Sequence, residues 1–418
     1  MGRYLDDLET QSMQMRAERQ SRLLADMVRR GYERSHRVRA IFDESGLSPA
    51  DIRSVSDLER LPVINRERIV RMEEEEPPYG GLADVSARIE RIFTSPGPVY
   101  EPHLNSDDPL WARAYKAAGF GPGDIVLNAF SYHMVAAGLT FHGGLVRVGA
   151  TVVPSGTSPA HQQVQLIKDL KVTGYTGTPS FLMAIIDKAN EMGYDFARDF
   201  SLRRAAFAAE PLQPSLRGRF ERDFGIDTYQ MYGATEVGDV AYECREKNGW
   251  HLCEEVIVEI VDPETGKPLG PGELGEVVVT RLNPIFFLFR FGTGDLSRLT
   301  DAPCPCGRTS LRLEGIAGRV GEAVKVRGMF VAPSQVKRLT DMFPGIVVQL
   351  VVSRSGTRDV LTARIDASGA GPASTGLAER FEKAFQEVCT VRLDRLELVE
   401  PGTLAADAKP LLDERTWE

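Results

Sequence analysis

Between residues 123 and 236, short apolar runs alternate with helix-length segments, and this alternation constrains the chain more than any other feature. "GDIVLNAF" and "GATVVPSG" are apolar runs bounded by glycine, and "MVAAGLTFHGGLVRV" between them has the spacing of a helix. "VTGYTGTPSFLMAIIDKANEMG" reads as a strand, a Gly/Pro turn and a helix, and "LRRAAFAAEPLQPSLRGRFERDFG" followed by "IDTYQMYGATE" repeats the pattern. Strands alternating with helices at this interval predict βαβ units and a mostly parallel sheet.

The flanking segments have a different texture. Residues 5–45 alternate charge with Leu, Met, Val and Ile at helical spacing, which predicts one or two surface helices. "GLSPADIRSVSDLERLPVINRERI" carries Ser-Pro and Asp/Ser caps ahead of short helices. From about residue 254, "VIVEIVDPETGKPLGPGELGEVVVTRL" alternates in the β manner around "DPETGKP" and "GPGELG" turns, as an antiparallel β subdomain would. Beyond "GRVGEAVKVRG" come short strands and two helices, "PSQVKRLTDMF" and "LAERFEKAFQEV", with "DASGAGPASTG" as a flexible loop. The expectation is an α/β chain of two domains. A large N-terminal domain, residues 1–320, holds βαβ-layered sheets and a β subdomain; a small, mobile C-terminal α+β domain covers 321–418.

A net charge of -9 and a pI near 5.4 argue against nucleic acid or an anionic membrane as the main partner. No run of ~18 apolar residues is present to span a bilayer. The opening "MGRYLDDLETQSMQMRAERQ" is charged throughout, unlike a secretory signal, and "MGRYLD" lacks the Ser or Thr of a myristoylation site. A cytoplasmic enzyme is the expectation.

The 5 cysteines are an odd number, which argues against a disulfide framework. Four of them fall near His251, in "ECREKNGWHLC" and "CPCGRT". Cys244, His251, Cys304 and Cys306 would supply soft or borderline ligands suited to tetrahedral Zn²⁺, and the proline in "CPCG" favours a tight, structural knuckle. Cys253 is a fifth candidate, since on one strand it would point the same way as His251. Buried free thiols beside a surface histidine are the alternative. Cys389, far away in sequence, reads as core.

"MYGATEVGD" (231–239), "FRFGTGDLSRL" (289–299), "GRVGEAVKVRGMFVAPSQV" (318–336) and the late lysine of "PGTLAADAKPLLDER" occur in that order. Together they resemble the adenylate-forming superfamily of acyl-CoA synthetases, adenylation domains and luciferases. More narrowly, "GTPSF", "AAEPL" and the segment from Trp111 to Gly156 are similar to the phenylacetate–CoA ligase branch. The resemblance covers residues 90–415 and implies a carboxylate joined to ATP as an acyl-adenylate, rotation of the small domain, and attack by CoA. It implies ATP/AMP, Mg²⁺ and CoA as cofactors, a homodimer, and a carrier protein as an alternative acyl acceptor. It assigns Tyr232 to adenine, Thr235 to the α-phosphate, Glu236 to Mg²⁺, and Ala209 and Glu210 to the adenine and acyl pocket. Gly233 and Lys325 join the nucleotide site, Asp295 would accept from the ribose hydroxyls, and Arg319 would hold ribose and phosphate. Lys409 would reach the carboxylate and α-phosphate. Phe130, Tyr132, His133, Phe141 and Gly177 fall near the presumed acid pocket. Gly321 and Glu322 stand where the family has its hinge acid, and Ala408 precedes Lys409 where the family has glycine.

The phosphate loop departs further. Where the family reads roughly Thr-Ser-Ser-Gly-Thr-Thr-Gly-Lys-Pro, this chain has Thr94, Ser95, Pro96, Gly97, Pro98, Val99, Tyr100, Glu101 and Pro102. Ser95 and Gly97 remain as phosphate-binding candidates. Pro96 and Pro98 remove backbone donors, and Glu101 replaces a cation with an acid where pyrophosphate should leave. The leading reading is an ATP-dependent acid–CoA ligase for an aromatic or arylacetic acid. The alternatives are an acyltransferase acting on a preformed adenylate or CoA thioester, or a ligand-binding pseudoenzyme.

Overall fold

The computed structural model describes residues 2–84, 86–95, 99–104, 110–321, 323–326, 329–355, 358–370, 376–389, 391–405 and 408–415. Gly97, Pro96, Pro98, Glu322 and residues 371–375 of the "DASGAGPASTG" loop lie outside the described residues. The chain forms two compact units. The first comprises 1–259, 278–293 and 299–314; the second comprises 260–277, 294–298 and 315–418. Among the described residues no helix is long and apolar enough to cross a membrane.

The first unit opens with helices α1 (Met13–Arg34) and α2 (His36–Glu44), strand β1 (Ile64–Asn65), helix α3 (Arg66–Glu75) and strands β2 (Arg91–Ser95) and β3 (Val99–His103). The alternating region follows as α4 (Ala112–Ala117), β4 (Ile125–Asn128), α5 (Ala137–Arg147), β5 (Thr151–Val153), α6 (Ala160–Asp169), β6 (Gly174–Gly177) and α7 (Pro179–Glu191). Next come α8 (Phe196–Asp199), β7 (Arg204–Phe207), α9 (Pro214–Asp223), β8 (Asp227–Ala234), β9 (Gly238–Glu243) and β10 (Trp250–Leu252). Along the chain β11 (Val256–Val261), β12 (Gly275–Arg281) and β13 (Phe291–Ser297) each pass from one unit into the other, and β14 (Leu299–Thr300) and β15 (Arg312–Leu313) return to the first. The second unit continues with β16 (Gly318–Arg319), β17 (Val324–Val326), β18 (Met329–Val331), α10 (Pro333–Met342), β19 (Val347–Ser355), β20 (Arg358–Asp366), α11 (Leu377–Cys389), β21 (Arg395–Leu398) and β22 (Leu411–Asp413).

Local chemistry sets the helix starts. Ser12, Ser35, Asn65 and Thr178 each accept a hydrogen bond from a backbone N–H in the first turn of α1, α2, α3 and α7. Pro179 opens α7, where a missing N–H has no cost.

The main sheet of the first unit has the order β14-β15-β10-β9-β8-β7-β6-β4-β5. The predicted alternation is its parallel half: β5, β4, β6, β7 and β8 pair in parallel. Helices α6, α7 and α9 bury Val164, Ile167, Leu182, Ile185, Ile186 and Phe220 against Leu127, Tyr175 and Phe207 of the sheet. Each such side chain contributes roughly 1.5–3 kcal/mol. From β8 onward the pairing reverses, and β9, β10, β15 and β14 follow antiparallel.

In the second unit the sheet β21-β20-β19-β22 packs Leu350, Leu361 and Ile365 against Phe381 and Phe385 of α11. The predicted "DPETGKP" turn is present: Asp262 Oδ1 accepts from Glu264 N and Thr265 N, and Asp262 N donates to Lys267 O at 2.9 Å. The second unit reaches back beyond residue 321, because 260–277 and 294–298 cluster with the C-terminal strands and helices.

The β8–β9 connection fixes the centre of the first unit. The register shifts between Tyr232 and Gly233. A side chain at Gly233 would strike Gly238 O and, at 2.7 Å, the Trp111 ring. Gly233→Ala is therefore expected to cost about 1–3 kcal/mol by overpacking, read as a lowered melting temperature.

Candidate functional site

The turn after β8 carries the residues that the family resemblance assigns to nucleotide. Asp239 holds it in place: its Oδ1 accepts from Arg281 Nη1 at 2.9 Å and its Oδ2 from Trp111 N at 3.2 Å. Arg281 Nη1 also donates to Val237 O at 2.9 Å. On this frame Tyr232 is buried, stacked on Trp250 with its hydroxyl 3.3 Å from Thr293 Oγ1. Thr235 is exposed and donates to Glu236 Oε2 at 3.1 Å. Ala209 takes φ +69°, and neighbouring Glu210 accepts from Ser180 Oγ at 2.8 Å, at the start of α7.

Glu236 is buried and meets a cation that no sequence motif singles out. Arg66 Nη1 lies 2.6 Å from Glu236 Oε1, and Arg66 Nη2 donates to Ser95 Oγ at 2.9 Å. Arg66 is the first residue of α3, directly after β1, which pairs in parallel with β13 through Ile64–Phe291 and Asn65–Gly292.

The phosphate-loop segment is a hairpin in which Thr94 pairs with Tyr100 and Ser95 with Val99. This register turns Glu101 inward, where it is 7% exposed and one carboxylate oxygen has no hydrogen-bond partner among the described residues. Tyr100 N donates to Glu73 Oε2 at 2.9 Å, and the other oxygen of Glu73 is likewise buried and unpartnered. Burial pushes both carboxyls up to about 7; the charge of Glu236 adds to the shift, and that of Arg66 opposes it.

The candidate acid-pocket residues gather where strand order reverses around β4, a common ligand-binding position in such sheets. Phe130, Phe141 and Trp111 form a buried three-ring stack, with centroids 4.2 and 4.5 Å apart. Asn128 Nδ2 donates to Tyr132 Oη at 2.8 Å, and Tyr132 Oη lies 3.1 Å from His142 Nδ1. Burial pushes the Tyr132 hydroxyl up to about 12. His133 is exposed. Gly177 is buried at the end of β6, where a Cβ would strike the Tyr175 hydroxyl.

In the second unit Asp295 and Arg319 face each other across the β13–β16 pairing, Oδ1 to Nη1 3.2 Å. Gly294, with φ +74°, donates its N–H to Glu276 Oε1 at 2.9 Å. Lys325 pairs with Phe330 in the β17–β18 hairpin. Lys409 is exposed, and its carbonyl accepts from Gln349 Nε2 at 3.0 Å. Gly321 takes φ +93°.

The structure brings together the four predicted metal ligands. The donor atoms of Cys244, His251, Cys304 and Cys306 lie within 4.8 Å of one another, and all four residues are buried. Cys244 Sγ is 3.7 Å from Cys304 Sγ, and Cys306 Sγ is 3.3 Å from His251 Nε2. A tetrahedral zinc with bonds of ~2.3 Å to sulfur and ~2.0 Å to nitrogen has edges of about 3.5–3.8 Å; the Cys244–Cys304 edge matches this, and the four donors, within 4.8 Å of one another, could hold a metal ion. Ser310 Oγ contacts His251 Nδ1 at 3.3 Å and leaves Nε2 facing the thiols. The hydrogen bond joining Cys244 and Cys306 pulls the Cys306 thiol down and pushes Cys244 up. Cys253 is not part of the cluster: β10 ends at Leu252, and the Cys253 thiol turns to Asp239 Oδ2 at 3.5 Å. Cys389 is core, its thiol pushed up to about 12 by burial.

The knuckle also fastens the start of the chain. Tyr4 Oη donates to Cys306 O at 3.0 Å, Arg308 Nε meets Glu9 Oε2 at 2.6 Å, and Arg16 meets Glu254 at 2.9 Å.

The two raised carboxyls give a pH signature. Folded-state values above the unfolded ones mean that the native protein holds extra protons between about pH 4.5 and 7, so their contribution falls as pH rises through that window. Glu101→Gln should therefore gain on the wild type as pH rises from 5 to 8, reaching about 1–3 kcal/mol. Denaturant unfolding at each pH checks this, and a pH-independent difference would refute it.

The AMP-binding enzyme family matches residues 106–283. The phenylacetate–coenzyme A ligase of Thermus thermophilus is 32% identical over 380 residues, 87% of this chain and 84% of that protein. The ligase of the same name from Escherichia coli is 32% identical over 87% of this chain and 85% of that protein. Among solved structures, an open conformation of 2-hydroxyisobutyryl-CoA ligase in complex with 2-HIB-AMP and CoA aligns with TM-score 0.85 and 24% identity, over 99% of this chain and 95% of that one. That likeness shows the fold. The bulged turn with Thr235 and Glu236 and the sequence relatives over most of the chain lead to one assignment. The chain belongs to the adenylate-forming AMP-binding enzymes, in their phenylacetate–CoA ligase branch, and is an AMP-forming acid–CoA ligase.

Proposed function

We propose that the enzyme activates an aromatic or arylacetic acid with ATP and passes the acyl group to CoA. The choice of acid is supported by relatives named for phenylacetate at 30–33% identity. The ATP requirement is supported by one observation above the rest: Glu236, a carboxylate at the end of a bulged strand, lies beside the exposed Thr235 hydroxyl and the Arg66 guanidinium. An anion attacking a phosphate needs such charges placed before the reaction begins.

In the first half-reaction an oxygen of the acid's carboxylate attacks the α-phosphorus, and the bond from that phosphorus to the bridging oxygen breaks, releasing pyrophosphate. Tyr232 would stack on adenine and Thr235 would donate to the α-phosphate. Glu236 would hold Mg²⁺, which when bound neutralises phosphate charge. Lys409 would hold the acid's carboxylate and the α-phosphate oxygens. In the second half-reaction the CoA thiol gives up its proton to solvent, its sulfur attacks the acyl carbon, and the bond from that carbon to the phosphate oxygen breaks, releasing AMP. Residues 321–418 would act as the mobile lid, with Gly321 at the hinge.

ATP–pyrophosphate exchange across a panel of aryl acids tests this reading. Exchange with an arylacetic acid is expected, and Lys409→Ala should lower it by about 10²–10³ while thioester formation from the synthetic adenylate persists. No exchange with any acid, alongside retained AMP or CoA-thioester binding, would sink ATP activation in favour of acyl transfer.

We further propose that Cys244, His251, Cys304 and Cys306 hold one structural Zn²⁺. Metal analysis should find about one zinc per chain, and Cys304→Ser should lose it. Stripping the metal with a chelator should lower stability by about 3 kcal/mol or more. Zinc-free protein of unchanged stability would contradict this.

A further inference from the structure

The phosphate hairpin presents an acid where its relatives have a cation, yet a cation stands beside it. Arg66 comes from a rigid base. Ile64 N donates to Arg290 O at 3.0 Å, and the buried Arg290 side chain donates to Leu61 O at 2.6 Å and pairs with Glu259 at 3.0 Å. The Asn65 side chain caps the helix that Arg66 begins, accepting from Arg68 N at 3.0 Å. The backbone that carries Arg66 is therefore anchored, and the guanidinium joins Ser95 of the hairpin to Glu236 of the β8–β9 turn.

The two partners differ in access. The Glu236 side chain is 2% exposed and the Arg66 side chain 37%. The pair is thus a buried acceptor met by a cation that opens to solvent. Glu101 and Glu73 are two more buried acids whose carboxyls feel the charges of both Arg66 and Glu236. Guanidinium presents its donors in a planar fork that matches a phosphate bidentately.

We propose that Arg66 binds the β- and γ-phosphates of ATP and the departing pyrophosphate, supplying from helix α3 the positive charge that the hairpin lacks at residue 101. This rests on the ATP-dependent reading above. Glu236 would hold Mg²⁺, whose charge would take the place of Arg66 on that carboxylate and leave the guanidinium to the phosphate oxygens. As the carboxylate oxygen bonds to the α-phosphorus, the electron pair of the breaking bond goes to pyrophosphate, and Arg66 stabilises the added charge. No proton is transferred.

The test measures two things on full-length protein. Calorimetry with magnesium pyrophosphate reads binding without catalysis; ATP–pyrophosphate exchange and thioester formation from synthetic acyl-adenylate read the two half-reactions. Arg66→Ala should weaken pyrophosphate binding and raise the KM for ATP by about tenfold or more, and should leave thioester formation within about twofold of wild type. Arg66→Lys should recover a large part of both losses, because it restores charge without the fork. Pyrophosphate binding unaffected in Arg66→Ala would overturn the proposal. So would loss of both half-reactions together in Arg66→Ala and Arg66→Lys, which marks a structural role. If the wild type binds pyrophosphate through Arg66 but exchanges with no acid, the Arg66 site stands and the ATP-dependent reading falls.

Discussion

Strand β8 is paired in two directions, and the site is a consequence of that fact. On one side it continues the parallel sheet through β7; on the other it accepts β9 antiparallel. A strand with such neighbours needs a tight reversal at its end, and the shift between Tyr232 and Gly233 supplies it. Asp239 and Arg281 then lock the turn from outside, spending a buried ion pair on geometry. Thr235 and Glu236 are thereby held on backbone that packing forbids to move. Preorganisation of this kind is what electrostatic catalysis requires.

Much of this was legible in the sequence because it is local. The strand–helix alternation gave the parallel half of the sheet, since hydrophobic period and glycine punctuation are short-range signals. The four metal-ligand candidates were also legible, because side-chain type alone limits what can bind zinc. What stayed hidden depends on long-range pairing. Arg66 is one arginine among many in a charged helix, and it matters only because β1 pairs with β13 across more than two hundred residues. Glu101 read as an acid facing the phosphates; what stayed hidden is its burial, which hairpin register sets and a single residue of slip would invert. Cys253 could be set aside only once β10 was seen to stop at Leu252. Phe130 and Phe141 read as pocket aromatics, and the structure stacks them on one another and on Trp111.

The electrostatics of the hairpin follow from the same displacement. An acid at residue 101 feels the charge of Glu236, as Glu73 does, while the Arg66 guanidinium that pairs with Glu236 opposes both shifts. Excess buried carboxylate is unfavourable alone and favourable beside a cation. The balance of the site therefore depends on what enters it, and an arriving cation relieves repulsion that the folded protein otherwise carries.

The knuckle at Cys304 and Cys306 has a consequence for how the molecule is made. Tyr4 bonds to the carbonyl of Cys306 across 302 residues, and Arg308 to Glu9 across 299. At a ribosomal rate of about 5–20 residues per second, roughly 15–60 s separate the appearance of the two partners. Through that interval the segment just ahead of α1 leaves the tunnel with Glu9, buried in the folded chain, still in water. Its seat arrives only with the cysteines, so a segment made some three hundred residues earlier must wait for them before it can dock.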